Sequence, residues 1–389
     1  MDERITTYKR SSFLVSSLLK WILVGSILIH FGCTKESNGF VIKGELDGFP
    51  EHSKIILSDA ITGKILDSTL VKSNHFKIAG YMEEEPSLLS FTLVKDDGQF
   101  FNSFLFVGNE SIKLQGKPED FPDNLKVSGS KYHQYKSRLD TKVASLNKER
   151  DKKLAMMFSL RQEGEWNDSL QKQYWSKEGI ITKIDRRINA LTKEFIEQNI
   201  NSDYALLQLV TYKTEFSKAF IEAQLNELEA NFRNSKYALV LQTFLKNPSL
   251  DNGDRYYDFT GENTNGHITN FSDSFNGKYV LLEFYSPYCS WCVRALPEVK
   301  TLYESEKNNL EIVMLNVDKN KDDWLQKYEE NGISWTSLYD ENARYSEAFT
   351  KYEVNTTPSY FLFDPSGKLL HRWEGYRENL REQIQVLLK

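Results

Sequence analysis

The sequence predicts a multidomain protein in which an all-β sandwich-like domain, a central α-helical region and an α/β domain follow one another. Its 389 residues exceed the usual size of a single domain, which is about 150 residues. The hydrophobic pattern changes near residues 130 and 250, and turn-forming residues mark the second change. With 40% hydrophobic and 27% charged residues, the composition is that of a globular protein with packed cores.

Residues 1–32 have the features of an export signal. A positively charged start precedes an apolar run from Trp21 to Gly32, which suits a signal peptide and is short for a membrane-spanning helix. The run ends at Gly32-Cys33, which resembles a bacterial lipoprotein cleavage site, where the cysteine becomes the lipidated N-terminus. We therefore expect lipidation at Cys33, with an uncleaved signal anchor as the alternative.

Either anchor would place the protein in the cell envelope, attached to a membrane and facing the periplasm. Such a compartment permits disulfide bonds. The net charge of −6 and the lack of a Lys/Arg stripe argue against a nucleic-acid partner. The chain has three cysteines, Cys33, Cys289 and Cys292, which are too few for a structural disulfide framework.

Residues 39–129 have the pattern of short β-strands. Runs such as Phe40–Leu46, Leu88–Val94 and Phe100–Val107 alternate with Asp-Gly, Thr-Gly and Pro turn signals. This spacing is typical of an all-β sandwich or a small barrel. The region contains no cluster of His, Cys and Asp and no nucleophile motif, so its sequence indicates no chemistry.

The pattern becomes helical over residues 130–246. In Ile180–Asn199, apolar residues recur at spacings of three and four, which places them on one face of a helix. Ser202, Ser217 and Ser235 are placed to cap three further helices. We expect these apolar faces to form a core, and nothing in the sequence indicates a groove that binds another protein there.

A linker over residues 247–255, rich in Pro, Gly, Asn and Asp, precedes the last domain. Residues 256–389 then alternate between strand and helix patterns. The strand Val280–Phe284 precedes a helix over Arg294–Lys307, and a second strand over Leu310–Val317 follows. This alternation predicts an α/β domain with a partly parallel sheet flanked by helices.

Cys289 and Cys292 lie three positions apart, directly after the first strong strand of this domain. A Cys-x-x-Cys at a strand-to-helix transition is a redox signature. Unpaired N–H groups at the helix N-terminus favour a thiolate at Cys289, which would attack, whereas Cys292 would be the resolving thiol. The redox-active disulfide would take the place of a cofactor, so we expect none.

A zinc site and a static structural disulfide are the structural alternatives for this pair. Zinc needs further ligands. His267 and His371 are the histidines of this domain, and their spacing does not suit such a site. We therefore expect no bound metal.

Two stretches of the α/β domain resemble a known family. Glu283–Cys292, with Pro297 five positions later, and Val354–Asp364 are similar to thioredoxin-fold oxidoreductases of the TlpA/ResA-like envelope branch. The resemblance implies a thioredoxin fold over roughly the last third of the chain. It also implies a cis peptide bond before Pro358, in a loop that faces the two cysteines.

The same resemblance implies an edge at which clients bind. Pro358 would place the Thr357 backbone beside Cys289, where a client peptide can add as an extended strand. Trp291, between the two cysteines, is the second expected client-binding residue. The β-rich region resembles the domain of unknown function that often precedes thioredoxin modules in envelope lipoproteins.

The chain departs from the pattern of many envelope members in the position of its acidic residue. Those members carry Glu three positions after the second cysteine, where this chain has Ala295. Glu283 instead matches the buried acid of thioredoxin and of protein disulfide isomerase domains. A carboxyl buried beneath Cys292 would have a raised pKa and could accept the Cys292 proton as a general base. The alternative is a solvated glutamate at the sheet edge.

The resemblance implies an envelope thiol–disulfide oxidoreductase, and in its leading form a reductase. Electrons would come from a membrane donor of the thiol-exchange type, and clients would be disulfide-containing exported proteins or apocytochromes. An oxidant or isomerase using the same pair is one alternative, because Glu283-Phe284-Tyr285 resembles the corresponding strip of protein disulfide isomerase domains. Ser290-Trp291 matches neither the strongly reducing nor the strongly oxidising pairs, so the direction of electron flow is open. A binding lipoprotein with an auxiliary thioredoxin fold is the alternative of another class.

Overall fold

The computed structural model describes residues 39–61 and 63–388. The predicted signal segment and Cys33 lie outside these residues. The described chain runs from a β region through a helical region to an α/β domain. Within that part of the chain, no helix combines the length and apolarity needed to cross a membrane.

The β region is a sandwich. Its strands are β1 (Phe40–Leu46), β2 (Lys54–Asp59), β3 (Ile65–Leu70), β4 (His75–Gly80), β5 (Ser87–Val94), β6 (Phe100–Val107), β7 (Ser111–Gly116) and β8 (Lys126–Ser128). They form two four-stranded sheets, with the orders β4-β1-β7-β8 and β3-β2-β5-β6. Alternate side chains such as Ile42, Leu57 and Phe91 point from both sheets into one core. The prediction of a sandwich-like all-β domain is confirmed.

The middle of the chain is helical, as predicted. Its helices are α1 (His133–Gln162), α2 (Asp168–Trp175), α3 (Ile180–Asn199), α4 (Asp203–Thr211), α5 (Lys218–Asn226) and α6 (Lys236–Lys246). The side chains of Ser202, Ser217 and Ser235 accept hydrogen bonds from the first turns of α4, α5 and α6. The apolar face of α3 is buried in a core shared with its neighbouring helices.

The α/β domain is built on one seven-stranded sheet. Its strands are β9 (Thr260–Asn263), β10 (Ile268–Asn270), β11 (Tyr279–Tyr285), β12 (Leu310–Asn316), β13 (Thr336–Tyr339), β14 (Ser359–Phe363) and β15 (Leu369–Glu374). The order is β10-β9-β13-β12-β11-β14-β15. Strands β11, β12 and β13 run parallel, whereas β14 and β15 are antiparallel to their neighbours. The sequence pattern missed β9, β10 and β13 because runs of three or four residues are too short to show a period.

Helices cover this sheet on both faces. They are α7 (Ser290–Glu306), α8 (Lys321–Glu330), α9 (Glu347–Lys351) and α10 (Leu380–Leu387). The side chains of β11 alternate between two cores: Leu282 and Phe284 face one of them, whereas Leu281 and Tyr285 face the other. The second core includes apolar side chains of α7 and α10. Every odd-numbered position of β11 therefore lies on the face covered by α7.

The three regions meet at a polar and aromatic junction. Glu84, from the β region, accepts hydrogen bonds from Lys236 on α6 at 3.0 Å and from Lys319 at 2.9 Å, just after β12. The rings of Tyr237 and Tyr345 pack edge to face with centroids 5.7 Å apart. The β region and the helical region therefore contact the α/β domain at the segment that follows β12, at the end of the sheet where the parallel strand β11 also ends.

Candidate active site

The cysteine pair lies where β11 passes into α7. Cys289 is the N-cap of α7, and its sulfur accepts a hydrogen bond from the Cys292 backbone N–H at 3.3 Å. Cys289 is half-buried, whereas Cys292 is fully buried in the core beneath α7. The side chain of Cys289 is thus partly open to solvent, whereas that of Cys292 is enclosed.

The loop before β14 lies against the accessible sulfur. The Thr357–Pro358 peptide bond is cis, and the Cys289 thiol donates to the Thr357 carbonyl oxygen at 3.3 Å. The Pro358 carbonyl oxygen accepts a hydrogen bond from the Gly375 N–H at 2.8 Å. The structure therefore brings together Cys289, Cys292, Thr357 and Pro358, which the sequence places 65 or more residues apart in two groups.

Glu283 is completely buried, on the same face of β11 as the core that contains Cys292. Neither carboxyl oxygen has a hydrogen-bond partner among the described residues. Burial raises the pKa of Glu283 to about 8, and the hydroxyl of Tyr360 partly counteracts the rise. The alternative of a solvated edge glutamate is therefore wrong, because apolar packing covers this position.

The buried thiol of Cys292 has a pKa raised well above the usual thiol range. Burial is the largest cause, followed by its hydrogen bond with Cys289, and the negative charge of Glu283 adds to the rise. The effect of the Glu283 charge on the pKa of Cys292 indicates that the carboxyl and the buried thiol are neighbours in this core. A carboxyl with a pKa of about 8 is mostly protonated at pH 7 and becomes ionised as the pH rises through 8.

Comparisons with known proteins agree with this geometry. Residues 252–372 match the AhpC/TSA family, and residues 40–134 match a domain of unknown function, DUF4369. Thiol-disulfide oxidoreductase ResA of Geobacillus kaustophilus is 28% identical over 134 residues, covering 34% of this chain and 75% of that protein. This chain is a thioredoxin-like thiol–disulfide oxidoreductase.

Further relatives of this oxidoreductase carry similar names. Thiol-disulfide oxidoreductase YkuV of Bacillus subtilis is 26% identical over 125 residues, covering 30% of this chain and 82% of that protein. Among solved structures, the thioredoxin domain of a thiol-disulfide oxidoreductase from Bacteroides vulgatus is 25% identical, with a TM-score of 0.34. The matched region covers 36% of this chain and 100% of the Bacteroides vulgatus chain.

Two tyrosines beside Glu283 were not predicted from the sequence as part of the site. Tyr360 lies directly opposite Glu283 in the antiparallel pairing of β11 and β14, and Tyr285 lies two positions along the same face. The hydroxyls of both tyrosines are buried without a hydrogen-bond partner among the described residues. Tyr285 was visible two positions from Glu283, but the partner strand of Tyr360 could not be identified before the sheet order was known.

The surface around Cys289 is aromatic. Trp291 is 50% exposed and stacks on Tyr376 with ring centroids 5.4 Å apart. The guanidinium of Arg294 lies over both rings, 5.5 Å and 5.1 Å from their centroids. Tyr288 is also exposed, and its hydroxyl donates to the Asp323 carboxylate. Trp291 therefore lies at the surface that a client approaching Cys289 would meet.

The thioredoxin-like domain places the remaining candidate ligands apart from the cysteines. His371 lies on β15, where its ring packs against Trp373. Among residues 39–61 and 63–388, no three His, Cys, Asp or Glu side chains are grouped so that they could hold a metal ion. The described site presents the thiols of Cys289 and Cys292, with the buried carboxyl of Glu283 on the face of β11 that lies toward Cys292.

Proposed function

We propose that this oxidoreductase reduces disulfide bonds of exported client proteins through Cys289 and Cys292. The observation that carries the proposal is the position of the Cys289 sulfur, 3.3 Å from the Cys292 amide nitrogen and 3.3 Å from the Thr357 carbonyl oxygen. That sulfur lies at a helix N-terminus, which favours a thiolate. It also lies at a backbone edge where a client strand can add.

The exchange proceeds in two displacements. The Cys289 thiolate attacks one sulfur of the client disulfide, whose S–S bond breaks, and the other client sulfur leaves as a thiolate. Glu283 then takes the proton of Cys292, and the new thiolate attacks the Cys289 sulfur of the mixed disulfide. The second client sulfur leaves, so the client has gained two electrons and the enzyme holds a Cys289–Cys292 disulfide. A membrane donor of the thiol-exchange type would return the pair to the dithiol.

The residues between the two cysteines support the reducing direction in this proposal. Strong oxidants of this fold owe their potential to a stabilised reduced form. Here the residues between the cysteines, Ser290 and Trp291, carry no charge. The intervening dipeptide therefore adds no charge–charge stabilisation to the thiolate, and this favours a reductase over an oxidant.

The redox potential of the purified protein, equilibrated against glutathione buffers, tests the direction. We expect a value near that of thioredoxin, about −270 mV, and far from the strongest oxidants at about −120 mV. A potential near the oxidising end would instead support the oxidase or isomerase alternative.

Trapping of clients tests the use of the pair. The Cys292→Ser variant should accumulate mixed disulfides through Cys289, because the resolving thiol is missing, and the Cys289→Ser variant should lose turnover completely. A variant with both cysteines replaced by serine is the control. Partners that stay bound to this double variant, without mixed disulfides in Cys292→Ser, would favour the binding-lipoprotein alternative.

Membrane attachment in the cell envelope is part of the same proposal. Lipidation at Cys33 would hold the protein at a membrane on the side where disulfides form. Metabolic labelling with a fatty-acid analogue should mark the wild type and not Cys33→Ala. Labelling that persists in Cys33→Ala, or its absence from the wild type, would contradict lipidation at this residue.

A further inference from the structure

A cleft separate from the cysteine pair lies between the helical region and the thioredoxin-like domain. Its volume is about 930 Å³, and residues of α1, α3, α4 and the loop after α4 line one side. The other side is lined by the domain that carries the cysteines, including Asn355 at the start of the loop that leads to Pro358. The Thr214 hydroxyl donates to the Asn355 side-chain oxygen at 3.3 Å, so the two walls touch beside the active-site loop.

Lys213 is the most unusual residue of this cleft. Its side chain lines the cleft although only 5% of the residue is exposed. No acceptor or carboxylate among the described residues lies within bonding distance of its ammonium group. Glu353 attracts it from farther away, while burial lowers the pKa of Lys213 to about 8. An ammonium group held in this way is costly to bury and gains from an anionic partner.

The remaining charged residues that line the cleft also leave an excess of positive charge. The carboxylate of Asp185 pairs with Arg150 at 2.6 Å, whereas that of Glu215 accepts a hydrogen bond from the neutral amide of Asn189 at 3.4 Å and keeps its charge. Glu374, the third acidic residue of the lining, pairs with an arginine of its own strand. By contrast, half-buried Arg344 has no ion pair among the described residues. Among the charged lining residues that have no ion pair in the described part of the chain, Lys213 and Arg344 outnumber Glu215, so the uncompensated charge of the cleft is net positive.

We infer that this cleft binds an acidic segment of the client polypeptide, with client carboxylates pairing with Lys213 and Arg344. The inference rests on the proposed function, because the cleft begins at Asn355, two residues before Thr357, where a client strand would add. Extended polypeptide advances about 3.3 Å per residue, so client residues near the reacting cysteine can reach the cleft. The helical region thus selects clients for the thioredoxin-like domain.

The test separates binding from redox chemistry. Two linear peptides carry serine in place of the client cysteine, with arms that alternate glycine with aspartate in one and glycine with asparagine in the other. Binding to full-length protein with serine at positions 289 and 292 is measured by fluorescence anisotropy. We expect the aspartate peptide to bind about tenfold more tightly, from charge-assisted hydrogen bonds in an open cleft.

Substitutions of Lys213 and Arg344 test whether these two residues cause the preference for the aspartate peptide. Lys213→Met and Arg344→Gln should each reduce it to near unity, Lys213→Arg should restore it, and Lys172→Met, which removes an exposed lysine of α2, should leave it unchanged. Equal binding of the two peptides by the wild type would overturn the inference. So would a preference that survives both substitutions, or a loss of affinity for both peptides alike. Change of oligomeric state in Lys213→Met without change of preference would assign the cleft to a second copy of the chain.

The proposed function is judged by a separate measurement on the same preparations. Reduction of a small aromatic disulfide by the wild type reports the Cys289/Cys292 chemistry without engaging the cleft, and Lys213→Met should retain it within about twofold. If disulfide reduction fails while the peptide preference is present, the reductase proposal falls and the acidic-segment site remains. If reduction succeeds without any preference, only the cleft assignment falls.

Discussion

Two glutamates in different regions of the molecule have opposite chemistry. Glu283 is enclosed beneath Cys292 with no hydrogen-bond partner for its carboxyl among the described residues, and burial raises its pKa to about 8. Glu84 lies at the junction of the three regions, where hydrogen bonds from Lys319 and Lys236 lower its pKa to about 2. Apolar surroundings thus bring the pKa of Glu283 close to neutral pH, whereas two nearby lysines keep Glu84 ionised.

The contrast separates function from architecture. Glu283 can exchange its proton near neutral pH, which suits a general base. Glu84 stays ionised throughout the physiological range, which suits a fixed tie between the β region, α6 and the segment after β12. Substituting each glutamate by glutamine, and varying the pH, tests this division directly.

The largest expected effect is on the pH dependence of stability at Glu283. Below its ordinary pKa of 4.5 both the folded and the unfolded chain hold the proton, but between 4.5 and 8 only the folded chain does. Rising pH therefore lowers the free energy of unfolding of the wild type by about 5 kcal/mol through this group. Glu283→Gln should lack this loss, as urea unfolding from pH 4 to pH 9 would report.

Glu329→Gln, at an exposed carboxyl of α8, is the matched control and should follow the wild type. Parallel pH profiles for Glu283→Gln and the wild type would show that Glu283 titrates like a solvated carboxyl, and the contrast with Glu84 would disappear.

The next effect is kinetic. Glu283→Gln should slow the attack of Cys292 on the mixed disulfide by about 100-fold above pH 8, the range in which the wild-type carboxylate is ionised. The difference should shrink at lower pH, because the wild-type base is then protonated. Stopped-flow measurement of client release reports this step. The initial attack by Cys289 should be nearly unchanged, and an equal slowing of both steps would indicate a general structural defect instead.

The smallest effect is expected at Glu84. Its pKa is lowered, so its contribution to stability is present above pH 4.5 and is lost as the pH falls toward 2. Since the side chain is 55% exposed, solvent screens the pairs, and Glu84→Gln should cost only about 1 kcal/mol at pH 7.

The adjacent Glu83→Gln provides the comparison for Glu84, because Glu83 is also exposed and its carboxylate has no ion pair among the described residues. Urea unfolding at pH 7 and pH 3 should show a difference between the two variants that narrows in acid. A constant difference would mean that the charge of Glu84 is not what ties the regions together.

Much of the fold was accessible from local pattern. The helix α3 follows from its apolar spacing, and the serine caps of α4, α5 and α6 were recognised because a cap acts within three residues of itself. The strand β13 was missed, since its four residues are held by neighbours far along the chain and carry no period of their own. Local signals predict local structure, and short strands depend on the sheet around them.

The cysteine pair, the helix that starts at it and the pattern around Pro358 can be predicted from the amino-acid sequence, because they depend on residues close together in the chain. The folded structure was needed to show that the Glu283 carboxyl is enclosed without a hydrogen-bond partner among the described residues and that it lies opposite Tyr360. Only the tertiary structure also placed Lys213 in a cleft beside Asn355. The physical reason is that desolvation and charge pairing depend on which distant segments pack together, and the sheet order and domain packing set those neighbours.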